Sequence, residues 1–467
     1  MPFCNPSRQV QHRGILRRLS RAVTISVAVA TATCLASESV LAQGISIIHD
    51  DETELTLKAY ETPIYKAAGL DPNALRIYLV NDDSINAFAA EGQNIFVNTG
   101  IFMQLDKPNE VIGILAHETG HIAGGHLSRG SEAISKASIP MLVSMAAGIV
   151  AMVAGAGDLG MGLLMLGQQV AQAQFNAFSR AQEATADQMG QKYLRATHQS
   201  GQGMVAVFEK FADEEAMSAY HIDLWATDHP LSRERIAALE QISNASPYRD
   251  VKDSPESQHE FDMIKAKLIG FTAPVESVFN KYPLSDTSKP ARYARAIVYM
   301  RKPDLKKALD EINSLVKDEP NNPYFNQVLG QIYVNMSKPN LGVPPLQRAV
   351  DLLPQGTEMR VELAAAQLAT DRTDLAQPAI DNLKAATAIN GDDVFAWYQM
   401  AQGYSLLNNE AMANLSTAER FYAAGVYPQA ARFAALAQRK LKQGTPDWQR
   451  ANDIMSVSVS NAKQQRQ

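Results

Sequence analysis

The sequence predicts a mainly α protein in which a mixed α+β unit comes first and a stack of repeated helical hairpins follows. Three observations carry that expectation. Arg76-Ile77-Tyr78-Leu79-Val80 and Asn94-Ile95-Phe96-Val97-Asn98 read as strands, closed by Asn81-Asp82-Asp83 and Gly100. From about residue 106 to 245 the pattern is helical. From about 259 onward it is helical and repetitive. The chain has 467 residues, 46% of them hydrophobic and 20% charged, enough apolar matter for a sizeable core and too much for a disordered chain. A formal net charge of −6 argues against a nucleic-acid binder, which carries a basic footprint.

The chain opens on a targeting pattern. Arg8, Arg13, Arg17, Arg18 and Arg21 precede any acid, an apolar run follows from Ala22 to Ala36, and Val40-Leu41-Ala42 offers a cleavage site after Ala42. That order is a secretory signal peptide over residues 1–42. Its removal would take away five arginines against one acid, Glu38, and both cysteines, Cys4 and Cys34. A cysteine-free, acidic, exported chain suits a bacterial periplasm, an oxidising compartment in which it needs no disulfide. Ser254-Pro255-Glu256-Ser257 reads as a linker, placed at 251–258, between a first domain (43–250) and a second (259–467).

The second domain has a period. Ala296, Gly330 and Ala364 fall 34 residues apart, Tyr299 and Tyr333 sit three after the first two, and Pro320 and Pro354 close the units. Leu329-Gly330 with Tyr333, then Ala349 and Pro354, fit the tetratricopeptide pattern, and Trp397, Ala401 and Tyr404 fit a further unit after a three-residue slip. Small residues let the two helices of a pair approach, and aromatics fill the gap to the next pair.

His117-Glu118-Thr119-Gly120-His121 is an H-E-x-x-H signature. On a helix, positions i and i+4 project two imidazoles at one metal. Asp106 as N-cap, Pro108 in the first turn and Glu110 near the positive end supply the helix, and Gly124-Gly125 ends it. Glu118 then lies beside the metal as a base. A catalytic zinc needs a third protein ligand. No H-x-x-G-x-x-H continuation exists, and His126, beyond the glycine pair, reads as structural. Ser179-Arg180-Ala181-Gln182-Glu183-Ala184-Thr185-Ala186-Asp187 offers the better candidate. Glu183 and Asp187 share one helix face, and Ala184, Ala186 and Gly190 are small enough to press that helix against the first. Glu183 is expected to bind zinc, one ion per chain, and Asp187 to fix the tautomer of a ligand histidine.

With Asn86-Ala87-Phe88, Gly92, Val97-Asn98-Thr99-Gly100 and His229-Pro230 with Arg235, these motifs cover roughly residues 45–245 and resemble the M48 zinc metallopeptidases. The resemblance implies a zincin-like α+β metallopeptidase domain followed by an α-solenoid of tetratricopeptide-like repeats. It implies an endopeptidase acting in quality control of outer-membrane β-barrel proteins, with the repeats docking it to their assembly machinery. It also brings His229 to the active site, either donating to the tetrahedral oxyanion with Arg235 holding the pocket, or filling zinc's open position to keep the enzyme latent. The strand around Ile95 to Asn98 is expected to be an edge to which an extended substrate adds. A second class of function stays open, a chaperone or adaptor scaffold with a latent peptidase domain. The uncharged run Ile139–Gly157 and the shorter apolar run after Asp158 read as a Met- and Gly-rich helical hairpin over 138–168 that covers the active site or touches the membrane.

Overall fold

A computed structural model describes residues 46–90, 92–126, 142–145, 147, 157–217, 229 and 232–464. The expected signal peptide and most of the expected apolar hairpin lie outside them. The first part of the fold runs β1 (Ile47–Ile48), α1 (Asp51–Ala67), β2 (Arg76–Val80), β3 (Ala87–Ala90), β4 (Asn94–Asn98), α2 (Thr99–Gln104), α3 (Pro108–Gly124), α4 (Gly157–Ala196), α5 (Gln202–Met217) and α6 (Arg233–Asn244). Both expected strands form where the apolar and aromatic runs placed them.

The four strands make one sheet in the order β1-β2-β4-β3. β2 and β4 run parallel, with Tyr78 opposite Phe96, and β3 and β4 are antiparallel, with Phe88 also opposite Phe96. Their rings stack in a row across the sheet, each pair of centroids 4.9 Å apart. The expected edge is therefore misplaced. β4, which holds Ile95 to Asn98, is internal, because β2 takes one side of it and the returning β3 the other. The edge on this side of the sheet is β3, and it faces α3.

α3 starts one residue later than Asp106 suggested. Lys107 is the N-cap, and Glu110 reaches back so that its Oε2 accepts from the amides of Asp106 (2.8 Å) and Lys107 (3.1 Å). The helix is buried nearly throughout, from Val111 to His121, and closes at Gly125, whose φ of 63° lies in the left-handed region that glycine adopts freely. α1, α3, α5 and the sheet share one core with Leu57, Ile64, Leu79, Ile95, Ile114, Leu115 and Phe208.

The second part is a run of helices: α7 (Pro255–Thr272), α8 (Val275–Lys281), α9 (Lys289–Arg301), α10 (Leu305–Asp318), α11 (Pro323–Asn335), α12 (Pro339–Leu352), α13 (Thr357–Leu368), α14 (Thr373–Ile389), α15 (Val394–Leu406), α16 (Glu410–Ala423), α17 (Tyr427–Gln438) and α18 (Pro446–Gln464). Ser254 caps α7, and Phe261 on that helix packs on Phe102 of α2, so the chain enters the second part through a helix seated on the first. Buried clusters then join neighbouring helices: Met263 of α7 with α9 to α11, α12 with α13, α13 to α15, and α16 to α18. This is a solenoid of tetratricopeptide-like helix pairs. Its small anchors, Ala296, Gly330 and Ala364, are buried, and a Cβ on Gly330 would lie 2.4 Å from Leu346 Cγ on the partner helix. Among the described residues no helix is long and apolar enough to cross a membrane. The first turns of α4 expose Met161, Met165 and Leu166.

Candidate metal centre

α3 carries His117, Glu118 and His121 on its inner face, and α4 crosses it at van der Waals distance. The crossing rests on residues without bulk. A Cβ on Gly120 would lie 2.6 Å from the Ala186 carbonyl oxygen, and one on Gly190 would lie 3.1 Å from that of Ala116. Glu183 and Asp187, one turn apart on α4, thereby reach the histidines of α3.

His117, His121, Glu183 and His229 offer one ligand atom each, all within 4.8 Å of one another and all buried. His117 Nε2 lies 3.1 Å from His121 Nε2 and 3.3 Å from His229 Nδ1. Glu183 Oε2 lies 3.4 Å from His117 Nε2 and 3.0 Å from His229 Nδ1, while its Oε1 is 3.4 Å from His121 Nε2. A tetrahedral ion with bonds of about 2.0–2.1 Å separates its ligands by about 3.3 Å. Three imidazole nitrogens and a carboxylate thus converge on one buried point. The separations of 3.0–3.4 Å match that spacing, so the residues fit a metal.

The supports are equally specific. His117 Nδ1 meets Asp187 Oδ1 at 3.0 Å. Asp187 is gripped by both arms of Arg235, Nε to Oδ2 at 2.8 Å and Nη2 to Oδ1 at 2.9 Å. The same guanidinium approaches Glu183 Oε2 at 3.3 Å, donates to the His229 carbonyl oxygen at 3.5 Å and lies over the Phe208 ring. Arg235 is placed by α6, whose cap Ser232 accepts from its amide. Asp187 therefore lies beside His117, and Arg235 contacts both carboxylates.

Glu118 does not join the cluster. Its Oε2 accepts from the Ala89 amide on β3 at 2.9 Å, and its Oε1 lies 3.6 Å from His229 Nε2. Burial raises its carboxyl above the ordinary value. Burial opposes charge on His117, but Asp187 and Glu183 outweigh it and hold the imidazolium up to about 10. Burial takes His121 down to about 4. Burial also works against ionised Glu183, yet the three histidines keep it far below the carboxylate range. A metal entering this set must displace a proton from it.

Two contributors are invisible in the motif pattern. The Ala89 amide, a main-chain group, carries no residue signature. His126, read from the sequence as merely structural, is buried with its Nδ1 3.0 Å from His121 Nδ1.

Residues 52–243 match Peptidase family M48. Over more of its length the chain is similar to the beta-barrel assembly-enhancing protease of Escherichia coli (strain K12), 26% identical over 375 residues, which span 79% of this chain and 75% of that protein. The corresponding protein of Yersinia pestis is 25% identical over 380 residues, with the same coverage. The Escherichia coli metalloprotease LoiP is 34% identical over 167 residues, or 35% of this chain and 60% of its own.

Proposed function

We propose that this chain, whose residues 52–243 form an M48 peptidase domain, is a periplasmic zinc endopeptidase acting on misassembled or stalled outer-membrane β-barrel proteins. The observation that carries the reading is the convergence of the His117, His121, Glu183 and His229 donor atoms within 4.8 Å of one another, with the Glu118 carboxylate just outside them. In this reading His117, His121 and Glu183 are the permanent zinc ligands. Zinc, when held there, supplies a Lewis acid that polarises the scissile carbonyl and acidifies water.

The chain's own residues do the rest. Glu118 Oε1 takes the proton of the attacking water and passes it to the leaving amine. Burial raises its carboxyl above the ordinary value, which helps it hold the proton between the two steps. The Ala89 amide fixes the other oxygen, so the base cannot rotate away. Asp187 orients His117, and Arg235 keeps Asp187 and Glu183 in place. β3 is an edge strand beside this centre, and an extended, unfolded substrate would add its backbone there with little regard to sequence. The domain division is 43–250 and 259–467, after a signal peptide over 1–42. The repeats dock the enzyme to the outer-membrane assembly machinery, and the exposed methionines at the start of α4 give it a peripheral membrane or partner contact.

The test pairs the chain from residue 43 onward with its Glu118→Gln variant. Both should bind one zinc, and only the wild type should cleave an unfolded outer-membrane β-barrel protein. Zinc binding without cleavage in either would favour the second reading, a chaperone or adaptor scaffold with a latent peptidase.

One observation supports latency as a resting state. His229 Nδ1 occupies a corner of the ligand set, where a substrate or water would otherwise sit. His229→Ala is therefore expected to raise basal cleavage severalfold. A fall instead would assign His229 to oxyanion stabilisation.

A further inference from the structure

The two ligand histidines on α3 have different supports. Behind His117 stands a carboxylate, Asp187. Behind His121 stands another imidazole. His126 lies 3.0 Å from His121 Nδ1 through its own Nδ1, with the rings edge to face at 82°.

The local backbone is shaped for this contact. Gly125 takes the left-handed conformation that ends α3 and turns the chain back. Gly124 leaves the floor of the turn open: a Cβ there would lie 2.5 Å from His126 Nε2 and 2.9 Å from its Cδ2. The His126 carbonyl oxygen accepts from Gln182 Nε2 at 3.4 Å, one residue before Glu183 on α4. The residue is therefore held from its own helix end and, through its main chain, from the helix that carries the carboxylate.

We propose that His126 is a positioning residue for metal binding, holding His121 in the tautomer and orientation that present Nε2 to the ion. The proposal rests on the reading of the cluster as a metal site. Its proton arithmetic is simple. If His121 Nε2 is a lone-pair donor, its proton sits on Nδ1, and an N–H there needs an acceptor. His126 Nδ1 supplies the lone pair, which places the His126 proton on Nε2. His126 cannot itself be a ligand from this position, because it contacts the side of His121 turned away from the cluster. The glycine pair, which the sequence suggested only as a helix end, thereby gains a second role. It makes room for an aromatic ring beneath a ligand.

The experiment compares His126→Leu with His126→Asn in the full chain. The two replacements have nearly the same shape, and only asparagine can offer an acceptor oxygen near the His126 Nδ1 position. The readouts are zinc affinity by competition with a chromophoric chelator and the visible spectrum of the cobalt-substituted protein. The leucine variant should bind zinc about 10–100-fold more weakly and perturb the cobalt spectrum. The asparagine variant should recover most of both. Gly124→Ala, which displaces the ring without touching it chemically, should weaken binding in the same direction and serves if His126→Leu fails to fold. Equal losses in the leucine and asparagine variants, or affinity within twofold of wild type in the leucine variant, would overturn the proposal. A wild-type chain that binds no metal would overturn the metal-site reading itself, and the proposal with it.

Discussion

Behind the catalytic motif lies a second acid. Glu61 on α1 is fully buried and accepts from the hydroxyl of Thr119, which sits between Glu118 and His121. Its other oxygen, Oε2, has no hydrogen-bond partner among the described residues. Burial pushes its carboxyl up to about 8, so near neutral pH it is held as the acid. The consequence for stability has a definite sign. Below the ordinary carboxylate range both folded and unfolded chains carry the proton, and stability is at its fullest. As pH rises toward 8 the unfolded chain ionises freely while the folded one does not, and stability falls by about 1.4 kcal/mol per unit of pH at most. Above that the folded form ionises too and the loss levels off. Glu61→Gln cannot ionise. In metal-free protein, the melting temperature of wild type should therefore fall more steeply between pH 5 and 8 than that of Glu61→Gln. Parallel profiles would show that Glu61 is solvated in a way the fold does not suggest.

Between helices, the site depends on residues that carry no chemistry. Gly120 is the second variable position of the H-E-x-x-H motif and touches Ala186 main chain. An alanine there would favour the isolated helix by about 1 kcal/mol. In the fold its Cβ would meet the Ala186 carbonyl oxygen and Cα, and backbone atoms cannot step aside as a flexible side chain can. Gly120→Ala should therefore destabilise the chain by about 1–3 kcal/mol. It should also weaken metal binding, because separating α3 from α4 draws Glu183 away from the histidines. Calorimetry and chelator competition on one sample check both effects. A variant more stable than wild type would show that helix propensity prevails over the crossing.

Across the whole molecule, Asp50, Asp51 and Glu52 bind the repeats to the peptidase part. Asp51 accepts from the amides of Thr357 (2.9 Å), Glu358 (3.3 Å) and Met359 (2.9 Å) at the start of α13. The cap residue of that helix, Gly356, has no side chain to offer, so an aspartate far away in sequence does its work. Beside it, Lys267 of α7 pairs with Asp50 and Glu52, and Tyr293 of α9 donates to Glu52 Oε2 at 3.2 Å. Asp51→Ala leaves three helix-start amides, that of Met359 buried, without their acceptor and should cost about 1–3 kcal/mol. Thermal melts should show the loss, and limited proteolysis should open α13 first. An unchanged melt would mean that water replaces the carboxylate at no cost.

Periodicity and spacing alone determined much of this protein. The strands of β2 and β4, the H-E-x-x-H helix, the 34-residue packing anchors and the pairing of Glu183 with Asp187 follow from patterns that act within a few turns of chain. The position of β4 inside the sheet did not follow, because strand order depends on a partner, β3, that returns from the next turn. Nor did the role of His126, since nothing local distinguishes an imidazole that folds back on a ligand from one that merely fills space. The reach of Asp51 to α13 was equally hidden, because a cap is ordinarily sought beside its helix. Short-range rules fix which residues form an element. Only tertiary packing decides which elements meet, and the metal cluster, the brace of Arg235 and the join to the repeats all lie at such meetings.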